Sequence, residues 1–169
     1  MLPIELDEDS IQIRTIANEE IPVLEDMLYE AIFQEDEANP IPREVIELPE
    51  VKIFIKDFGK KKHDHCFVAD WKGKIIGAVW VRLLNGTPKG FGYIDEETPE
   101  FAISLFKEYR HMGLGTSLMK RMIEHLKETG YQQTSLSVQK KNYALKLYQK
   151  LGFEIIKDKG EDYLMLLKL

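Results

Sequence analysis

The sequence predicts a single domain with an α/β fold. Segments with strand-like and helical patterns alternate from residue 101 to residue 156, in the strand-helix-strand-helix-strand order that α/β folds have. Two glycines stand at the turn between the first of these strands and a strongly periodic helix. The 169 residues are 44% hydrophobic and 31% charged, which suffices for one domain over residues 1–169 with a substantial core.

The first third of the chain predicts one strand, one helix and an irregular region. Residues 11–14 alternate apolar and polar side chains, as a short strand does. Asn18 can cap a helix whose apolar stripe ends at Ile32. Prolines interrupt the pattern over residues 34–49, where we expect a loop with a turn of helix. Residues 51–58 are apolar at mixed spacing and predict a short second helix.

The middle of the chain predicts a β-hairpin. Residues 67–70 and 75–83 have strand-like composition, and the dipeptide Lys72-Gly73 between them is a tight-turn signal. Residues 85–90 contain two glycines and a proline and therefore indicate a longer loop. A third strand follows over residues 101–105.

The last third predicts two helices between strands. An apolar face begins near Gly113 and the helix ends before Gly130. A second helix opens at Asn142 and stops at Gly152. Three further strands complete the pattern, over residues 134–138, 153–156 and 163–167.

The turn over residues 109–116 predicts a phosphate-binding site. Glycines at a strand-to-helix turn let backbone N–H groups approach a ligand, and the helix N-terminus adds unpaired donors and the positive end of its dipole. The dinucleotide fingerprint is excluded because Leu118 stands where it needs a small residue, and the chain has no P-loop triplet. The remaining pattern is Arg110-x-x-Gly113-x-Gly115.

A second motif follows at a fixed distance from the first. Asn142 and Ala144 precede Leu147-Tyr148, and the segment closes in Leu-Gly-Phe at residues 151–153. In this order and spacing, the two motifs resemble those of the GCN5-related N-acetyltransferase (GNAT) family, most firmly over residues 101–156. The resemblance implies a mixed, mostly antiparallel central sheet of six to seven strands flanked by about four helices. It also implies acetyl-CoA (coenzyme A) as cofactor and transfer of the acetyl group to a primary amine by direct attack.

The resemblance assigns roles to particular residues. Tyr148 is the general acid toward the leaving thiolate, and a backbone N–H near Leu105 donates to the thioester oxygen, because the strand splays from its partner near residues 135–137. Glu100, at the start of that strand, is the candidate general base, with Asp95, Glu96 and Glu97 as alternatives. The implied cofactor contacts are Ile103, Ser104, Leu105, Arg110, His111, Met112, Gly113, Leu114, Gly115, Thr116, Asn142 and Tyr148.

Each of these residues also has an ordinary structural interpretation. Tyr148 fits core packing, Asn142 fits a helix N-cap, and Arg110 fits an ion pair with a nearby acid. Two alternative functions also stay open. One is transfer of another acyl group from coenzyme A, and the other is a non-catalytic module that binds coenzyme A or acts as a sensor.

Bulk properties narrow the partners. The net charge of −6 argues against a nucleic-acid partner, and no apolar run or basic leader predicts a membrane span or a signal peptide. The single cysteine, Cys66, fits a reducing cytoplasm. Adjacent residues of the run His63-Asp64-His65-Cys66 point to alternating faces, so we expect no metal site. Exposed edge strands permit a homodimer.

The acceptor amine stays open between a small molecule and a peptide. Acidic segments at residues 35–37 and 95–97 could attract a polyamine, an aminoglycoside or a protein N-terminus. The resemblance implies that residues 34–65 shape the acceptor side and that residues 101–156 form the cofactor-binding core.

Overall fold

Seven strands form one mixed sheet in the computed structural model, which describes residues 7–169. The strand order across the sheet is β1-β2-β3-β4-β5-β7-β6, and only β4 and β5 are paired in parallel. The strands are β1 Ile11–Thr15, β2 His65–Trp71, β3 Lys74–Arg82, β4 Glu100–Leu105, β5 Gln133–Gln139, β6 Glu154–Asp158 and β7 Asp162–Lys168. The predicted mixed and mostly antiparallel sheet with flanking helices is therefore confirmed.

Four α-helices flank this sheet: α1 Val23–Ala31, α2 Pro49–Lys52, α3 Leu114–Glu128 and α4 Ala144–Lys150. Short 3-10 turns add Asn18–Glu20 before α1 and Arg43–Glu47 before α2. Within residues 7–169, none of the helices combines the length and apolar character that crossing a membrane requires.

Two helix boundaries differ from the prediction for local reasons. Asn18 begins a 3-10 turn rather than capping α1, because the Glu20 carboxylate accepts the Ala17 N–H at 2.8 Å and so caps the segment itself. The helix predicted over residues 51–58 ends at Lys52 and continues as turns. Asp57 then adopts a positive φ of 54°, which an α-helix does not accommodate.

The two faces of the sheet carry separate apolar cores. Helices α1 and α2 cover one face, where Met27, Val68 and Trp80 are buried. Helices α3 and α4 cover the other face, where Leu118 and Met165 are buried. The alternation of side chains along each strand divides the apolar residues between the two cores.

The parallel contact between β4 and β5 is limited to its first residues. Only Glu100 and Ser135 form a register pair. Just before that pair, the carbonyl oxygen of Pro99 accepts the Ser135 N–H at 3.1 Å and the Thr134 hydroxyl at 2.8 Å. Beyond this point the two strands separate, which leaves a gap in the middle of the sheet.

A buried ion pair fixes the segment that follows α2. The guanidinium of Arg82 and the carboxylate of Asp64 are 2% and 0% exposed, with N–O distances of 3.0 Å. The Arg82 guanidinium also donates to the carbonyl oxygens of Ile53 and Lys56, each at 2.9 Å. A buried charge is tolerated only when such partners replace its lost hydration, so this arrangement holds residues 53–56 against the sheet.

Two histidines stack near the C-terminal end of α3. The ring centroids of His65 and His125 are 3.8 Å apart, and the Nε2 atom of His65 is buried without a partner among the described residues. Burial, followed by the positive charges of His125 and Arg121, lowers the pKa of His65 to about 4. The folded protein therefore takes up this proton less readily than the unfolded chain, whose histidine pKa is about 6.5.

We expect this pair to make the protein sensitive to acid. Because the folded pKa lies below the unfolded one, the stabilisation is complete above about pH 6.5 and is lost as the pH falls toward 4. Between pH 7 and pH 5, His65 should account for a loss of about 1 to 2 kcal/mol, allowing for its partial exposure. Urea unfolding at both pH values should show a smaller loss for His65→Gln. The same replacement at the exposed His111 should leave the loss unchanged, and equal losses in all three proteins would contradict the assignment.

Candidate functional site

The gap between β4 and β5 opens into two adjoining cavities. The first, about 510 Å³, is the glycine-turn cleft, bounded by residues 103–105, the turn from Arg110 to Thr116 and the start of α4. The second, about 310 Å³, is the Glu100 pocket. It is bounded by residues 100–103, by β5, and by Val45, Val51 and Phe54 in and around α2. Ile103, Asn142 and Tyr148 border both cavities.

The glycine turn presents backbone donors to the first cleft. Gly113 has φ 84°, a left-handed conformation that glycine adopts without strain, and α3 begins at the next residue. The N–H of Ser117 is the first that donates back into the turn, to Gly113 O at 3.2 Å. The N–H groups of residues 114–116 therefore have no acceptor within the helix, as expected for a helix N-terminus.

Gly115 keeps the first turn of α3 without a side chain. A Cβ atom added there would lie 3.7 Å from Leu147 Cδ2 and 3.9 Å from Leu105 Cδ1, which are ordinary packing distances. The surrounding protein therefore does not require a glycine at this position. The bare turn fits a group that approaches the backbone closely, such as a diphosphate.

Two of the residues expected around the cofactor do not line the cleft with their side chains. Leu114 is buried in the α3 core, and the Met112 side chain is 39% exposed beside the turn. The turn and α4 instead bring together His111 and Tyr143, whose ring centroids are 4.9 Å apart. The remaining expected residues border the cleft: Ile103, Ser104, Leu105, Arg110, His111, Gly113, Gly115, Thr116, Asn142 and Tyr148.

Arg110 connects three elements that border the cleft. Its guanidinium donates to Leu105 O at 3.0 Å, to Glu30 O at 3.1 Å and to a Glu30 carboxylate oxygen at 3.1 Å. One side chain thus connects the end of β4, the last turn of α1 and the glycine turn. A cation near the C-terminal carbonyls of a helix is also favoured by the helix dipole.

The backbone of β4 turns part of its hydrogen-bonding capacity toward the gap. Phe106 donates its N–H to Ile76 on β3 at 3.1 Å, whereas the carbonyl oxygens of Pro99 and Leu105 point the other way. Because backbone groups alternate along a strand, the N–H groups of Ile103 and Leu105 face the gap. The hydroxyl of Ser104 points to α1 and donates to Met27 O at 2.6 Å.

Tyr148 lies at the junction of the two cavities. It is 8% exposed, and its hydroxyl makes no hydrogen bond within residues 7–169, although its ring packs edge-on against Phe153 with centroids 6.0 Å apart. Burial raises the pKa of the Tyr148 phenol above its usual value. The phenol is therefore protonated at neutral pH and can donate a proton to a group in the gap.

Asn142 performs the capping role that its residue type favours. Its Oδ1 atom accepts the Ala144 N–H at 2.9 Å and so satisfies a donor at the start of α4. Its position on both cavities leaves the amide nitrogen available to a ligand.

Glu100 is a buried carboxylate without a full set of partners. It is 3% exposed, and its Oε1 atom has no hydrogen-bond partner among the described residues. Burial raises its pKa to about 7, although the N–H of Gly92 and the charge of Lys159 act in the opposite direction. A carboxylate with this pKa can accept a proton near neutral pH.

The alternative acids upstream of Glu100 have other partners. Asp95 accepts the Thr98 hydroxyl at 2.7 Å and the Glu97 N–H at 2.9 Å. Glu96 accepts Asn85 Nδ2 at 2.8 Å and the Tyr93 hydroxyl at 3.0 Å. These carboxylates stabilise the loop before β4 and do not border the Glu100 pocket.

The metal-like run before β2 is divided among separate environments. Asp64 pairs with Arg82, His63 hydrogen-bonds the Tyr131 hydroxyl, and His65 stacks on His125. Cys66 is buried in the core beneath α1, and burial raises the pKa of its thiol. Among residues 7–169, no group of three or more histidine, cysteine or acidic side chains is placed to hold a metal ion.

Sequence reasoning missed the aromatic wall of the Glu100 pocket. Phe54 and Phe91 stack with ring centroids 5.9 Å apart and both border that pocket. The only local signal was a phenylalanine between Gly90 and Gly92. Glu30, the partner of Arg110, was also missed, because nothing in the sequence connects residues so far apart.

Comparison with known proteins agrees with this architecture. Residues 27–153 match the model of the Acetyltransferase (GNAT) family. The chain is 32% identical over 89 residues to N-alpha-acetyltransferase MAK3 of Arabidopsis thaliana, covering 52% of this chain and 44% of that protein. It is 31% identical over 95 residues to an N-alpha-acetyltransferase of Sulfurisphaera tokodaii, covering 54% and 57%. The chain spans about half the length of the curated relatives it matches.

Solved structures share the fold over nearly their whole length. PaiA N-acetyltransferase from Thermoplasma acidophilum, solved in complex with coenzyme A, superimposes with a TM-score of 0.69 at 20% identity, covering 95% of this chain and 99% of that one. The ribosomal-protein-S18-alanine N-acetyltransferase of Escherichia coli gives a TM-score of 0.65 at 17% identity, covering 94% and 93%. Because the family match spans most of the chain and the fold agrees, this protein belongs to the Acetyltransferase (GNAT) family.

Proposed function

We propose that the protein is an acetyl-CoA-dependent N-acetyltransferase that transfers an acetyl group to a primary amine of a small molecule or peptide. The observation that carries this proposal is the divergence of β4 from β5 after Glu100 and Ser135. It places backbone donors, a protonated phenol and a carboxylate around one gap. The N-alpha-acetyltransferases among the curated relatives support an amine acceptor.

The glycine-turn cleft fits acetyl-CoA. The N–H groups from His111 to Thr116 would hold the diphosphate, since Gly115 leaves the helix N-terminus uncovered. The N–H groups of Ile103 and Leu105 would bind the pantetheine amides as an added strand does. Acetyl-CoA supplies the thioester carbonyl that the amine attacks, and the Leu105 N–H is the candidate donor to its oxygen.

The two ionisable groups divide the proton transfers. Glu100, with a pKa of about 7, would accept a proton from the substrate ammonium in the smaller pocket. Tyr148, whose raised pKa keeps it protonated, would donate to the departing thiolate at the junction. Direct attack in a ternary complex needs both cavities to open onto the same gap, as they do here.

Arg110 has a positioning role in this proposal. The hydrogen bonds of its guanidinium go to Leu105 and Glu30. It therefore supports the strand and the turn that contact the cofactor.

We assign the cofactor-binding core to residues 101–156 and the acceptor side to residues 34–65. Val45, Val51 and Phe54 from the second range border the Glu100 pocket, which supports this division. Residues 1–6 of the proposed single domain lie outside the described residues.

A methyl group at Gly115 should weaken cofactor binding without weakening the fold. We expect Gly115→Ala to raise the dissociation constant for acetyl-CoA at least about tenfold, because the Cβ atom would stand between the diphosphate and the N–H groups. Calorimetric titration measures this constant. Gly86→Ala is the control for adding a methyl group outside the cleft, since a Cβ at Gly86 meets nothing within 4 Å. If wild-type protein fails to bind acetyl-CoA at millimolar concentration, the proposed function is wrong.

Removing the hydroxyl of Tyr148 should slow the reaction while leaving the binding of acetyl-CoA almost unchanged. General acid catalysis contributes about 10²- to 10⁴-fold, so we expect kcat of Tyr148→Phe to fall by about a hundredfold or more. Thiol release in steady state measures this. Tyr163→Phe, which removes a hydroxyl from β7, should retain full activity. Unchanged turnover in Tyr148→Phe would remove this residue from the mechanism.

The Glu100 carboxylate should affect activity and stability in opposite directions. Its folded pKa of about 7 lies above the usual value of 4.5, so the folded protein binds the proton more tightly and wild-type stability falls as the pH rises from about 4.5 to 7. We expect the free energy of unfolding of Glu100→Gln to exceed that of wild type by about 2 to 3 kcal/mol at pH 8 and to differ little from it at pH 4.

The same variant should lose the contribution of this group to catalysis. In wild type, kcat/KM should show a change of slope near pH 7, below which Glu100 is protonated. Glu100→Gln should be at least about a hundredfold slower at pH 8 and should lack the change of slope. A parallel pH profile at wild-type rate would assign the base elsewhere.

A further inference from the structure

The Glu100 pocket is apolar apart from a few groups. Its polar boundary consists of Glu100, parts of β5, Asn142 and Tyr148, with Asp162 at the start of β7. The apolar residues come from α1, the segment around α2, the loop before β4, and β4 and β5 themselves: Leu28, Ala31, Ile32, Phe33, Val45, Val51, Phe54, Phe91, Phe101, Ala102, Ile103, Leu136 and Val138. Such a pocket offers a positive charge one deeply buried partner, the Glu100 carboxylate.

The triplet Gly90-Phe91-Gly92 fits tightly over that carboxylate. A Cβ atom at Gly90 would lie 2.0 Å from Glu100 Oε1, and one at Gly92 would lie 3.0 Å from Glu100 Cδ. A side chain at Gly90 would therefore collide with Glu100, and one at Gly92 would crowd Glu100 and the backbone of Leu136. The two glycines allow the backbone to cover the carboxylate and carry the ring of Phe91 to the pocket.

Backbone hydrogen bonds of Gly90, Phe91 and Gly92 hold the ring of Phe91 at the pocket. Gly92 O accepts the Ser135 hydroxyl at 2.6 Å, and Gly90 donates its N–H to Leu84 O at 3.0 Å. Lys159 donates to Phe91 O. The ring stacks on Phe54, whose carbonyl oxygen accepts the Trp80 indole N–H at 3.0 Å. Backbone anchors therefore position both members of the aromatic pair.

The acidic segments that could attract a polycation are directed elsewhere. Glu35 pairs with Lys141, and Glu37 borders the glycine-turn cleft rather than the Glu100 pocket. Asp95 and Glu96 accept hydrogen bonds from their own loop, and Asp95 also accepts one from Gln133 of β5.

From these contacts we infer that the Glu100 pocket takes a primary amine whose carbon chain is apolar and carries no second charge, and that Phe54 and Phe91 set this preference. The inference rests on the proposed function. The same chemistry is found in a free alkyl- or arylalkylamine and in a peptide N-terminus with an apolar first side chain. A polyamine or an aminoglycoside would bring a second ammonium into the apolar part of the pocket, where it loses hydration and no second deeply buried carboxylate of the described residues replaces it. The faces of Phe54 and Phe91 would offset only part of that loss.

The test compares two amines with the same six-carbon chain. Hexylamine and 1,6-diaminohexane differ only at the sixth carbon, where the first carries a hydrogen and the second an ammonium. With saturating acetyl-CoA at pH 8, we expect kcat/KM for hexylamine to exceed that for the diamine at least about a hundredfold. Peptides that begin with leucine or with lysine form the second arm and separate a peptide N-terminus from a free amine as the source.

Variants of the aromatic wall provide a gain of function that a folding defect cannot imitate. Phe91→Asp should lower kcat/KM for hexylamine at least about tenfold and raise it for 1,6-diaminohexane. Phe54→Ala should raise the KM for hexylamine about tenfold and leave the dissociation constant of acetyl-CoA unchanged. Ile156→Ala, which shortens a 46% exposed side chain on β6, is the matched control and should behave as wild type.

Each outcome separates this inference from the proposed function. Faster turnover of the diamine, or of the lysine peptide over the leucine peptide, would overturn the inference and leave the acetyltransferase assignment in place. If acetyl-CoA binds but no amine is turned over, the proposed function is wrong. Calorimetric titration of the CoA-loaded protein with the two amines then decides: tighter binding of hexylamine supports the pocket's preference, and tighter binding of the diamine, or no binding of either at 10 mM, overturns it.

Discussion

The candidate site depends on one constraint, the confinement of the β4–β5 pairing to Glu100 and Ser135. Parallel strands normally pair along their length, but here Thr134 and Ser135 hold Pro99 at the point of divergence. Among residues 7–169, no register pair joins the two strands beyond it. The gap exposes backbone donors of β4 and allows both cavities to meet at Tyr148. Continued pairing would fill the gap with ordinary sheet.

Two arginines, the buried Arg82 and the partly buried Arg110, maintain the geometry around the gap. Arg110 joins β4 to α1, and Arg82 holds the segment after α2 on the other side. Each guanidinium group donates hydrogen bonds to main-chain oxygens and to one carboxylate. This use of arginine leaves the backbone of the glycine turn as the proposed site for the diphosphate, where a helix N-terminus already offers donors.

Much of the architecture could be predicted because it is encoded locally. Apolar periodicity located the strands and helices, and glycine punctuation located the turn, since Gly113 needs a left-handed backbone that its neighbours cannot supply as easily. The partner of Arg110 and the stacking of Phe54 on Phe91 could not be predicted, because each joins residues distant in the sequence. That the side chains of Met112 and Leu114 lie away from the cleft could not be predicted from local rules either, because it depends on how α3 packs.

The anchor of the α2 segment has a consequence for how this protein can change over evolutionary time. The hydrogen bonds from Arg82 and Trp80 to residues 53–56 all go to main-chain oxygens, those of Ile53, Phe54 and Lys56. Main-chain oxygens are present whatever the side chain. Point mutations can therefore replace the side chain at position 54 without removing the hydrogen bonds that hold residues 53–56. In this fold Arg82 and Trp80 must stay unchanged, whereas the side chain at position 54 is free to vary. One scaffold could in this way carry different side chains at the proposed acceptor pocket.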